Sequence, residues 1–135
     1  MARPLIAAPS DIVDRIFRAF ADRDADALVA LLAEDVVFEP ASTEVAIRAP
    51  FRGRDGMREY LAEVERDWER FDVTVAETRE APPYVLALGR VYARSGGFVA
   101  DNPIAFVWEV RDGAVVWGRT FTDRTAALRF VGLAS

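Results

Sequence analysis

The 135-residue chain contains no cysteine, no histidine and no lysine. Without cysteine there is no disulfide, no thiolate nucleophile and no thiolate-bound metal. Without histidine the commonest metal ligand and the commonest general base near neutral pH are both missing. Without lysine a Schiff base on the protein is excluded, and all 17 basic side chains are arginines. Proton transfer is left to Asp, Glu, Tyr, Arg or a water that they position. A metal would find only oxygen ligands, so no metal and no cofactor is expected. A long apolar run is lacking as well. The opening MARPLIAAPS is too short and too mild for a secretory signal, and nothing approaches the length of a membrane span. A cytoplasmic location with no membrane partner is expected. The 22 acids outnumber the arginines for a net charge of −5, and no basic run occurs, which argues against a nucleic-acid partner.

What is present suits a packed domain. Hydrophobic residues make up 52% of the chain and charged residues 29%, with nine Phe, three Trp and three Tyr; a disordered chain has too few apolar groups to bury and this one does not. The length fits a single domain over residues 1–135, with 1–9 expected to be flexible. Ser10 reads as the N-cap of a first helix with Ile12, Val13, Ile16, Phe17 and Phe20 at helical spacing. DADALVALLAED reads as a second helix, and DVVFEP as a short strand stopped by Pro40. Residues 41–53 have no clear period and read as a loop that could hold a short strand and lie over an opening. RDGMREYLAEVERDWERF reads as a third helix, with Met57, Tyr60, Leu61, Val64 and Trp68 on its apolar face. Strands follow at FDVTVAET, YVLALGRVYAR, IAFVWEV and AVVWGRTFT, with SGGFVADNP as a connection and Asp112-Gly113 as a hairpin turn. A last short helix starts from Asp123. Helices first and hairpin-linked strands afterwards give an α+β layout.

The late strands are apolar on both sides. Regular alternation puts Phe106 and Trp108 together with Trp117 and Phe121 on one face, and Ala105, Val107 and Glu109 on the other. An antiparallel sheet with one wet face should alternate apolar and polar. The aromatic face is too large to leave in water, so a homodimer through Phe106, Trp108, Trp117 and Phe121 is expected.

The segments LLAEDVVFEP, FRGRDGMREYL and VRDGAVVWGRTFTDRTAALRFVGL resemble the SnoaL-like branch of the nuclear transport factor 2-like superfamily, and the resemblance runs through nearly the whole chain. It implies a conical α+β barrel, three N-terminal helices against a strongly curved and mostly antiparallel sheet, enclosing one apolar pocket. Homodimers through the outer sheet face are common in that family. Its members include ketosteroid isomerases, polyketide cyclases, epoxide hydrolases and many non-enzymes, so fold leaves function open. Residue by residue, the resemblance implies mainly exclusions. Where the isomerases carry a Tyr and a protonated Asp, this chain has Ile16 and Ala105; for the base it offers only Glu39, beside Pro40. Arg90 resembles the epoxide-hydrolase arginine, but Tyr92 stands where the partner Asp belongs, and Thr120 and Thr122 replace the second acid. For a cyclase acid, Asp101 and Asp123 are candidates, Asp123 also serving as a helix cap.

The remaining candidates follow from assigning Leu86, Leu88, Arg90 and Tyr92 to the pocket side, together with Val107, Glu109 and Thr120. Arg90 then orients a carbonyl, carboxylate or enolate, or it sits ion-paired at a solvated rim. Glu109 or Glu39 would move a proton, with Tyr92 assisting, and the plain alternative for each is a solvated or structural group. Phe17, Phe38, Tyr60, Trp68, Leu88, Val107 and Thr120 are the expected pocket lining. Two functions are open on these grounds. One is a cofactor-free isomerase, cyclase or hydratase acting on a small apolar, oxygen-bearing molecule. The other is a non-catalytic ligand-binding or dimerisation module.

Overall fold

A computed structural model describes residues 8–40 and 50–133. Most of the stretch expected to be flexible and most of the 41–53 loop lie outside the described residues. Helix α1 (Pro9–Ala21) starts at a proline, whose fixed φ suits the first helical position. Ser10, expected as the cap, lies inside the helix instead, and its backbone N–H donates to Glu80 Oε2 at 3.1 Å. Helix α2 (Ala25–Ala30) is capped by Asp24, which accepts from the Ala27 N–H at 3.0 Å. Helix α3 (Gly53–Asp67) buries Met57, Leu61 and Val64 and ends one residue before Trp68, whose backbone is extended. Trp68 is therefore not on the helical face expected for it. Helix α4 (Arg124–Phe130) starts from Asp123, which accepts from the Thr125 N–H at 2.9 Å.

Six strands complete the chain: β1 (Leu32–Glu39), β2 (Phe51–Arg52), β3 (Arg70–Ala81), β4 (Tyr84–Ser95), β5 (Phe98–Arg111) and β6 (Ala114–Phe121). Strand β5 absorbs most of the stretch read as a connection and leaves only Gly96-Gly97 at the turn. The sheet order is β2-β1-β6-β5-β4-β3, antiparallel throughout except for the parallel β1–β6 pair. The class is α+β with a mostly antiparallel sheet, as expected, but the sheet is open rather than closed into a barrel.

The two faces are covered differently. Helices α1 to α3 pack on one face, here called the inner one, against Val36, Phe38, Val85, Ala87, Phe106, Trp108 and Val115. Helix α4 packs on the outer face, where Leu86, Leu88, Ala105, Val107 and Phe121 gather around Ala127. Leu86, Leu88 and Val107, expected on the pocket side, thus lie under the chain's own last helix, and of the four residues expected to meet a second copy Phe121 is buried with them.

One extra residue in β6 divides the four aromatics between the two faces. The Asp112-Gly113 turn has positive φ at both residues and pairs Arg111 with Ala114, as a two-residue hairpin should. Val110 then faces Val115, but Glu109 faces Trp117, so Val116 is unpaired in a bulge. Beyond it Trp108 lies opposite Gly118 and Phe106 opposite Thr120. A shift of one residue exchanges the faces of every following side chain. Phe106 and Trp108 are thus inner core, 7% and 4% exposed, while Trp117 and Phe121 are outer. The expected four-aromatic dimer face does not exist as a single surface.

Candidate ligand-binding site

Aromatic rings dominate the layer between α1–α3 and the sheet. Phe106 and Trp108, two apart on β5, are stacked with ring centroids 6.0 Å apart. Phe38 of β1 stacks on Trp108 at 5.6 Å, with an interplanar angle of 10°. Phe17 of α1 meets Phe106 and Trp108 edge-on at 4.9 and 6.0 Å. Tyr60 of α3 meets Phe38 edge-on at 5.0 Å and Phe51 at 5.1 Å, and stacks on Phe20 of α1 at 6.5 Å. Each such pair adds about 0.5–1.5 kcal/mol beyond burial of area. Gly118 makes the stack possible, because a Cβ there would overlap Trp108 Cε3 and Cζ3.

Two polar features stand in this layer. Thr120 is buried at 6% exposure. Trp108 Nε1 is fully buried and has no hydrogen-bond partner among the described residues. An unmet buried donor costs about 1–3 kcal/mol, so it is a feature to be explained. Tyr60 is the ionisable member of this hydrophobic cluster, and the Arg23 guanidinium borders it, 4.5 Å from the Phe20 ring centroid.

The expected site residues divide between the two faces. Phe17, Phe38, Tyr60 and Thr120 come together on the inner face. Leu88 and Val107 do not: both lie on the outer face, nearly inaccessible beneath α4. Trp68 sits at the sheet's edge beside Phe71 and the exposed Phe98, 6.0 and 6.1 Å away. Phe51, Phe106 and Trp108 belong to the inner layer and were missed.

The four groups expected to do chemistry also face away from the inner layer. Arg90 is paired across the strands with Asp101, Nε to Oδ1 3.1 Å, and donates to the Asp101 carbonyl oxygen at 3.2 Å. Its side chain is 57% exposed, so the pocket-facing placement is corrected to a solvated one on the outer face. Tyr92, opposite Asp101, lies under the Arg70 guanidinium, 5.4 Å from its ring centroid. The hydrogen bond and the charge of Asp72 hold Arg70 above its ordinary pKa, against an opposing desolvation cost. Glu109, opposite Tyr84 and Trp117, bonds to Arg111 Nε. Glu39 ends β1 and accepts from Trp117 Nε1 at 2.6 Å. Asp101 is in β5 rather than in a loop. Every one of these carboxylates is committed to a partner, and Arg90 and Asp101 satisfy each other.

A surface groove of about 440 Å³ lies beside α3, lined by Pro50, Phe51, Arg52, Asp55, Gly56, Glu59 and Glu63. Phe51 links it to the inner layer through Tyr60. Among the described residues no cluster of three metal-ligating side chains occurs, and no helix is long and apolar enough to cross a membrane.

The sequence profile of the SnoaL-like domain matches residues 13–117. The chain belongs to the SnoaL-like family. None of the curated proteins is similar enough to this SnoaL-like chain to match it. Solved structures share its fold. TerC, co-crystallised with polyporic acid, is 20% identical, with 90% of this chain and 96% of that one covered and a TM-score of 0.75. A Catenulispora acidiphila protein with a ketosteroid isomerase-like fold, in complex with trimethylamine, is 21% identical over 94% of this chain and 95% of that one, at a TM-score of 0.73. RV0760c from Mycobacterium tuberculosis, in complex with estradiol-17beta-hemisuccinate, is 20% identical, with 85% and 93% covered and a TM-score of 0.71. At these identities the likeness is one of fold.

Proposed function

We propose that this SnoaL-like protein binds a small apolar, oxygen-bearing molecule in the aromatic layer between α1–α3 and the sheet, and that it holds the molecule without acid–base chemistry of its own. The observation that carries the reading is the division of the side chains. The inner layer is built of Phe17, Phe38, Tyr60, Phe106 and Trp108, whereas Arg90, Glu109 and Glu39 are each bonded to a neighbour on the other side of the sheet. Ligand sites are mostly apolar and aromatic with few polar groups, which suits the inner layer. A general base must come within hydrogen-bond reach of the proton it takes, and these three groups do not share a face with the rings. The small-molecule complexes of TerC and RV0760c support a binding role by likeness of fold alone.

The test is native mass spectrometry of the protein against a mixed panel of steroids, terpenoid epoxides and aromatic polyketide acids. One retained molecule per chain with unchanged mass is expected. Retention should be unaltered in Arg90→Leu and weakened several-fold in Phe17→Leu, which opens a gap in the ring layer. A retained product of altered mass, lost in Arg90→Leu, would overturn the non-catalytic reading. Retention of nothing by the folded protein would overturn the binding reading.

A further inference from the structure

Trp108 is enclosed on three sides. Phe38 covers one part of its ring system and Phe106 another, both nearly parallel to it. Its benzo edge, Cε3 and Cζ3, lies against Gly118. Phe17 approaches edge-on from α1. Stacking therefore fixes the ring's plane and orientation, while the one polar atom it carries is fully buried and unpartnered. A donor that is buried, held in place and unmet is the arrangement a specific acceptor would complete.

We propose that the Trp108 indole N–H is the specificity-determining donor of the binding site, recognising a neutral acceptor oxygen, a ketone or ester carbonyl, on a flat ring system. This rests on the binding reading above. The indole nitrogen only donates, so the ligand atom must carry a free lone pair; an ammonium or an N–H cannot serve. Burying a carboxylate among these rings costs far more than burying a neutral carbonyl oxygen. The flat rings of Phe38 and Phe106 favour a flat ligand through offset or edge-on packing. Phe20 and Tyr60, half-buried and stacked between α1 and α3, lie at the edge of the layer.

Three probes of nearly equal shape separate the possibilities: 2-acetylnaphthalene, 2-ethylnaphthalene and 2-naphthoate. In wild-type protein the ketone should bind about tenfold more tightly than the ethyl compound, the worth of one buried hydrogen bond, with naphthoate weakest. Trp108→Phe keeps a ring and removes the donor, and should bring the ketone-to-ethyl affinity ratio from about ten to about one, whatever the change in overall affinity. Should that variant not fold, ¹⁵N-indole NMR of the wild type reads the same contact: the ketone should move the Trp108 N–H resonance downfield and the ethyl compound should not. Equal binding of ketone and ethyl compound, or an unmoved indole resonance, overturns the assignment of Trp108 and leaves the binding reading standing. Tighter binding of naphthoate also overturns it. Binding of none of the three overturns it together with a ligand site in this layer.

Discussion

Gly118 lies beneath the largest side chain of the inner layer, and its lack of a Cβ is what lets Trp108 lie flat against β6 and reach Phe38. Gly118→Ala should force the indole off its rotamer and destabilise the fold by about 1–3 kcal/mol, the usual cost of overpacking a core. Urea unfolding would measure the loss, and a changed tryptophan emission would place it at Trp108. Arg90 lies at the other extreme. Its ion pair with Asp101 is more than half exposed on both sides, and exposed pairs contribute about 0–1 kcal/mol. Arg90→Leu should therefore shift the urea midpoint little. Both expectations follow from neighbours on adjacent strands, which residue type alone does not reveal. An arginine in an apolar strand reads equally as a buried functional group or a rim ion pair until its face is known.

At the scale of elements, the unexpected part is α4. Its seven residues were legible as a short helix from the Asp123 cap. Their task was not, because it depends on which sheet face is left bare. Ala127 is fully buried against Leu86, Leu88, Ala105 and Val107. Ala127→Asp would place an unpaired carboxylate there, at a cost of several kcal/mol unless the helix lifts away. The variant should bind a hydrophobic dye and self-associate, and a wild-type dye response and mass would show that α4 is not the essential cover. Strand β5 gives the same lesson. Residues 98–103 carry Gly-, Asp- and Pro-rich turn signals around them, yet they pair with β4 through six positions from Ser95–Phe98 to Arg90–Pro103. Tertiary pairing overrode local propensity there.

Across the whole molecule, the sheet is sealed at its centre and thin at one end. The middle of β4 and β5, from Val85 to Leu88 and from Ala105 to Trp108, is buried on both faces. The far end of the same hairpin exposes Phe98 and Val99, 58% and 54% accessible. Amide exchange should follow this gradient: slowest at Leu86 and Val107, and faster by orders of magnitude at Tyr92 to Ser95 and their partners, because few buried contacts hold that end shut. Uniform protection along the hairpin would contradict the gradient.

Composition and periodicity were enough for the α+β class, the helix–strand order, the Asp112-Gly113 turn, and the exclusion of thiol, imidazole and lysine chemistry, since these depend on what residues are present and on local spacing. The inner ring layer was partly legible too, through Phe17, Phe38, Tyr60 and Thr120. The face on which each later side chain lies was not, because the period of a strand is two and Val116 adds one residue. That single bulge parted Trp117 and Phe121 from Phe106 and Trp108. The candidate site moved from the charged groups to the rings for a second reason: α1–α3 pack on the face of Val85, Ala87, Phe106 and Trp108 rather than on that of Leu86, Arg90 and Val107, a choice made by tertiary packing rather than by alternation along any one strand.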